Sequence, residues 1–154
     1  MRRESLIRLA LIALSLATSI AAQATAEDTI GQVKTASGEV TVLRGGVSQK
    51  VGPGDRVFQA DVFATGSDGA VGITFADNSM LSLGPDSQLS LDQFRFDTTT
   101  HEGVFDSSLA NGTLAVKSGQ IVKQTPEAMK VRTPGALLGV RGTEFVVRAD
   151  GGGK

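Results

Sequence analysis

The sequence predicts an all-β fold, a compact short β-solenoid or roll of many short strands, with a two-sheet β-sandwich as the alternative. Three observations lead there. From Thr29 onward, short runs alternating apolar and polar residues recur at intervals of about 8–12 residues. Turn signals rich in Gly, Asp and Pro separate them. After the N-terminus, no stretch of about a dozen residues carries apolar side chains at helical spacing. The 19 glycines show no repeat period, which fits many tight turns and not collagen or a disordered linker.

Taken in order, residues 39–44 (Glu-Val-Thr-Val-Leu-Arg) alternate and stop at Gly45-Gly46. Val51-Gly52-Pro53-Gly54-Asp55 turns the chain into Arg56-Val57-Phe58, and residues 62–65 end at Gly66-Ser67-Asp68-Gly69. Residues 70–75 place Val71, Ile73 and Phe75 on one face, turn at Asp77-Asn78 and resume as Met80-Leu81-Ser82-Leu83. Gly84-Pro85-Asp86-Ser87 turns again into Leu89-Ser90-Leu91, and Phe94-Arg95-Phe96 alternates once more. The polar stretch 97–112 reads as a long hairpin tip or loop, and residues 149–154 as a flexible tail. Gly52, Gly54, Gly66, Gly69 and Gly84 stand at the turns, where positive φ is expected of them. Asp55, Asp68, Asp77 and Asp86 are expected to accept hydrogen bonds from backbone amides of their own turns. Gly142-Thr143 precedes Phe145-Val146-Val147, which reads as a late-docking core strand.

The N-terminus reads as an address. Arg2, Arg3 and Arg8 precede the apolar run 9–17, which gives way to Ala22-Gln23-Ala24 and Ala24-Thr25-Ala26, both small-x-small cleavage patterns. Residues 1–26 are thus expected to be a signal peptide cut after Ala24 or Ala26, with an uncleaved anchor as the alternative. Residues 27–148 form the domain. The run is shorter than the roughly 20 residues a membrane span needs, so no stable span is expected after processing. The expected location is periplasmic or secreted. Processing leaves 12 basic and 15 acidic side chains, a formal net charge of −3 that draws nothing to nucleic acid.

Composition removes several chemistries. With no cysteine there is no disulfide framework and no zinc–thiolate site, and His101 is the single histidine. It sits in the polar stretch and reads as a solvated loop residue. No P-loop, G-x-S-x-G or helix-opening G-x-G-x-x-G occurs. The chain has neither Trp nor Tyr, the usual sugar and base platforms. No enzymatic activity, catalytic residue, cofactor or metal is expected. Asp68, Asp77, Asp86, Asp92 and Asp97 near turns are the candidates for Ca²⁺, but no Asp-x-Asp-x-Asp loop is present, and turn formation explains them. Charge is uneven along the chain. Residues 55–106 hold nine acidic side chains against Arg56 and Arg95, while residues 107–148 are mostly basic. Solubility explains this, and a dipolar docking domain is the sharper alternative.

Residues 38–42, 51–57, 65–71, 75–79 and 81–87, with Val131-Arg132-Thr133-Pro134-Gly135-Ala136 and residues 140–147 (Val-Arg-Gly-Thr-Glu-Phe-Val-Val), together resemble the FecR domain from about Gly31 to Arg148. That family includes the periplasmic sensor portions of iron-dicitrate-type regulators. The motif positions are Gly52, Gly54, Asp55, Gly66, Gly69, Asp77, Gly84, Pro134, Gly142 and Thr143. The resemblance implies a fold and a compartment. Full regulators also carry a cytoplasmic segment before a membrane span, and residues 1–8 are too few for one, so transmembrane signalling is not expected to carry over. The reading is an exported FecR-like binding or scaffold module of the cell envelope, with a link to signal sensing left open. Its partner is expected to be another envelope protein or itself. The alternatives are a self-associating envelope or matrix component and a cell-wall or carbohydrate-binding protein.

Overall fold

A computed structural model describes residues 28–151, whose twelve strands join in one curled, largely antiparallel sheet. In chain order these are β1 (Gly31–Ser37), β2 (Val40–Arg44), β3 (Val47–Lys50), β4 (Arg56–Val57), β5 (Val62–Thr65) and β6 (Ala70–Phe75). β7 (Met80–Leu83), β8 (Gln88–Phe96) and the long β9 (Gly103–Lys117) follow, then a short helix α1 (Gln120–Gln124). The chain closes with β10 (Met129–Thr133), β11 (Ala136–Gly139) and β12 (Glu144–Ala149). The expected all-β roll of many short strands is what these residues form.

The sheet folds over on itself. One layer runs β4-β1-β6-β7-β9-β12 and the other β3-β2-β5-β8-β9-β10-β11. β9 belongs to both. Its first part pairs β8 and β10, and its last part pairs β7 and β12. Only β10 runs parallel to its neighbour β9, because α1 and its flanking loops carry the chain back to where β9 began.

Alternation fills the space between the layers. Val71, Ile73, Phe75, Leu81, Leu83, Leu114 and Val116 point inward from one layer, and Val40, Val42, Phe63, Leu89, Leu91, Phe105 and Leu109 from the other. α1 adds buried Ile121 and Val122 at one end of the roll. There Phe75, Phe94 and Phe105 pack with ring centroids 4.6–5.6 Å apart.

At the opposite end the chain passes between layers in a stack of crossovers. β1 to β2 crosses at Gly38-Glu39, β5 to β6 at residues 66–69, β7 to β8 at residues 84–87, and β9 itself at Gly112. Each crossover bonds to the next. Gly66 N–H donates to Glu39 O (2.9 Å), Asp86 N–H to Gly66 O (3.0 Å), and Gly84 N–H to Thr113 O (3.0 Å). Thr65 Oγ1 donates to Gly84 O (2.6 Å) and accepts from Ser87 N–H (3.0 Å). So tight a stack leaves no room for a Cβ: one on Gly69 would overlap the Glu39 carbonyl, and one on Gly112 would overlap Ser87. Gly112 also takes φ +93°, which lets β9 bend from one layer into the other.

Several expectations are corrected. Of the five turn glycines, only Gly54 adopts positive φ (+95°). Gly69 is required by close approach to the Glu39 carbonyl, a Cβ on Gly66 would meet only the Glu39 side chain, and Gly52 and Gly84 face open space or ordinary contact. The stretch 97–112 is not one loop. Its tip is 97–102, and β9 begins at Gly103, its alternation hidden by Ser107, Ser108 and Asn111. Residues 145–147 lie in an edge strand with Val147 buried, Phe145 half-buried and Val146 exposed, and not in a core strand. Ala22, Ala24 and Ala26, with the rest of residues 1–27, where a signal peptide is expected, and residues 152–154, lie outside the described residues.

Candidate functional site

A two-layer roll has two long sides where the layers part. The C-terminal segment builds one of them. Thr133-Pro134-Gly135-Ala136 makes a two-residue turn, closed by Ala136 N–H donating to Thr133 Oγ1 (3.1 Å), so β11 folds back on β10 from Thr133↔Ala136 to Lys130↔Gly139. β10 is held on both edges. β11 pairs with β10 alone, and all four of its residues are exposed. Its outer edge therefore presents unpaired backbone N–H and C=O groups. Neither a charge, a proline nor a bulge interrupts Ala136–Gly139, and Leu137 is 58% exposed.

The chain then returns to the core. Val140 is buried, its N–H donating to Met129 O (2.9 Å). Gly142 and Thr143 are held through their carbonyls, which accept from Ser118 Oγ–H (2.5 Å) and Ser118 N–H (2.8 Å). That explains the motif: these two positions fix where β12 starts, and a Cβ on Gly142 would meet nothing. Between β11 and β12 a cleft of about 350 Å³ is lined by Leu138, Val140, Arg141, Phe145 and Val147. Of the six large exposed apolar residues described, Leu137 and Leu138 lie on β11, while Met80 and Val146 line a shallow depression over β7, β9 and β12 in the other layer.

Arg141 stands over the cleft and donates from Nε to Glu127 Oε1 (2.7 Å). That hydrogen bond, then the Arg141 charge, holds the Glu127 carboxyl below the usual glutamate range, and Glu127 in turn raises Arg141. A carboxyl lowered on folding adds stability above its unfolded value and loses it as pH falls through the lowered one. Both groups are fully exposed, so salt screens the pair. By carboxyl-detected NMR, Glu127 is expected to titrate below the usual glutamate value and to return to it in Arg141→Gln.

Two of the remaining motif residues, Asp77 and Asp55, bond within the fold. Asp77 is fully buried: Oδ1 accepts from Ser79 N–H (3.0 Å) and Oδ2 from Ser79 Oγ–H (2.6 Å), as expected of its turn. It also accepts from Ile121 N–H (3.4 Å), and its carbonyl from Gln120 N–H (2.8 Å), fixing α1 from a distance. Asp55 Oδ2 accepts from Gly52 N–H (2.8 Å) within its own turn. Asp68 instead reaches Glu39 N–H (3.2 Å) across the crossover stack, and Asp86 joins that stack through its backbone N–H. Asp97 is lowered mainly by the Thr100 and Thr99 amides that donate to it, and His101 is exposed beside it, stacked on Phe96. Among the described residues no group of three or more Asp, Glu or His is placed to hold a metal ion. The acidic and basic halves of the chain interleave: Asp61 and Asp77 are buried, and Arg132 lies 3.8 Å from Asp92.

Asp61 is the residue that sequence reasoning missed. It is fully buried, bridged to Arg44 from Nε to Oδ1 and from Nη2 to Oδ2, both 2.7 Å, and accepts from Phe58 N–H (2.9 Å). Arg44 packs over the Phe58 ring at 4.4 Å. The partners are 17 residues apart and share no local pattern. An aspartate closing a strand-entry turn gives no signal of burial.

Among the described residues no helix is long and apolar enough to cross a membrane. A solved structure titled "Cell surface anchoring domain" is 32% identical over 40% of this chain and 82% of its own, with a TM-score of 0.38. Comparison with curated proteins finds no match. The family model described as FecR protein matches residues 61–154, from Asp61 through the crossover stack to β12 and beyond. β1 to β4 precede that match, yet β1 pairs along its whole length with β6, so the folded unit is larger than the matched part. Through that match, covering more than half its length, the chain belongs to the FecR protein family.

Proposed function

We propose that this protein is an exported, non-enzymatic binding domain of the cell envelope that docks its partner on the open edge of β11. The observation that carries the reading is that edge: four exposed residues, uncharged and unbulged, hydrogen-bonded on one side only. The other edges are guarded. β4 has two residues, one of them Arg56; β3 ends on Lys50; β12 bears Glu144 and Arg148. A partner strand laid on β11 gains main-chain hydrogen bonds and sets its side chains beside Leu137. The targeting pattern of residues 1–26 and the family support the envelope as the place.

Leu137→Lys puts a charge on the docking edge and, being a surface change, leaves stability within about 0.5 kcal/mol. In an envelope extract the protein is expected to retain a partner that the variant binds at least tenfold less tightly, about 1.4 kcal/mol. Equal retention by both overturns strand-edge docking. The same uncharged edge is complementary to itself, which favours self-association as a second reading. Dimers that form with rising concentration, and are lost in Leu137→Lys, identify it.

A further inference from the structure

The layer that ends in β11 has a second open edge at its far end. β3 pairs with β2 alone, and all four of its residues are exposed, Val47 at 63%. Along β3-β2-β5-β8-β9-β10-β11 every neighbouring pair is antiparallel except β9 and β10, so β3 and β11 point in opposite directions. A second copy set beside the first in the same orientation therefore brings its β3 against β11 as an antiparallel pair, the more stable arrangement.

The pleat restricts the register. Val42 and Val131 are buried, so their cross-strand partners Gln49 and Leu138 lie on the inner face, and Val47 shares that face with Gln49. One face-matched register sets Val47 opposite Leu138, Ser48 opposite Leu137 and Gln49 opposite Ala136. A shift of two residues one way sets Lys50 against Leu137, and the other way carries Ser48 past the end of β11. In the favoured register Lys50, the one charge on β3, falls beyond Ala136 at the turn. On the outer face Leu43 lies across from Ser48 and so shares a row with Leu137. Four of the six large exposed apolar residues described, Leu43, Val47, Leu137 and Leu138, thus meet at a single joint. A joint between two β11 edges leaves Leu43 and Val47 in water.

We propose that copies of this chain join head to tail, β3 of one laid antiparallel on β11 of the next, so that one layer of the roll continues from copy to copy. The joint rests on the strand-edge docking proposed above and names the occupant of that edge. Its two halves differ, so each copy that joins leaves an edge for another and association does not stop at two.

In sedimentation velocity the mean mass of the purified protein is expected to rise with concentration past two copies. Leu137→Lys blocks one edge and Val47→Lys the other, and each variant alone is expected to self-associate at least tenfold more weakly. Mixed in equal amounts, the two are expected to form pairs and nothing larger, because each brings the edge that the other lacks. Both are surface changes expected to keep the native melting temperature, which checks that both fold. A mixture of folded variants that stays monomeric overturns the head-to-tail joint. Val47→Lys that associates like the native chain overturns it too, and leaves docking on β11 standing. A native chain that is monomeric at every concentration also overturns it, while an envelope partner lost in Leu137→Lys still supports the β11 edge.

Discussion

Replacing Asp61 with alanine is expected to cost about 3–5 kcal/mol of folding stability, a large share of what a domain this size has. The carboxylate has no access to solvent and serves three donors at once, two from Arg44 and one from the Phe58 backbone. Removing it strips the guanidinium of its paired acceptor and orphans the Phe58 amide, and an unsatisfied buried donor alone costs about 1–3 kcal/mol. Arg44 keeps 31% side-chain exposure, so water recovers part of its charge and the loss belongs toward the lower end of that range. Urea denaturation gives the number. Arg44→Met in the Asp61→Ala background is expected to destabilise less than the two single changes summed, since one interaction is removed in both. A loss below about 1 kcal/mol for Asp61→Ala contradicts the buried bridge, because surface pairs are worth that little.

Phe105→Ala is expected to cost a similar 3–5 kcal/mol for a different reason. Phe105 is fully buried on β9, with Phe75 at 4.6 Å and Phe94 at 5.1 Å, the latter edge-on. Phe75 comes from β6 in one layer and Phe94 from β8 in the other, so the ring joins the layers. Its loss leaves a void bounded by two rings that cannot both collapse into it, and it forfeits two aromatic contacts of about 0.5–1.5 kcal/mol each. Phe105→Leu refills most of the volume and is expected to cost clearly less. Thermal melts of the two variants distinguish the mechanisms: equal losses would show that the site relaxes freely and that the trio does not bridge the layers.

Strand positions were legible wherever alternation was clean. Val71, Ile73 and Phe75 are buried as their spacing predicts, and the turns at Asp77-Asn78 and residues 84–87 lie where the sequence puts them. Legibility failed where a residue serves a distant partner. Asp61 and Arg44 meet only because β2 and β5 are neighbours in the sheet. The apolar periodicity of β9 is broken by Ser107 in the core and by the bend at Gly112, so its length was not visible. α1 is a single turn, too short to show a stripe, and its start is fixed by Asp77 from another part of the chain. The closing segment carried the family resemblance in its residues, while the open edge at β11 follows from which strands pair. No local pattern encodes that.

β9 is common property of the two layers, and this shapes how the molecule folds. Neither layer can exist as a partial structure of its own, because each needs a different stretch of the same strand, and that strand forms late in the chain. β1 must wait for β6, its partners lying 33–44 residues further along the chain, and β2 for β5, 19–25 residues along. Assembly of such non-local pairings is intrinsically slow, in the millisecond-to-second range. Once formed, the unit has no independent subdomain to release, so the pull of a docked strand on β11 passes through β10 into β9 and is resisted by the whole domain at once.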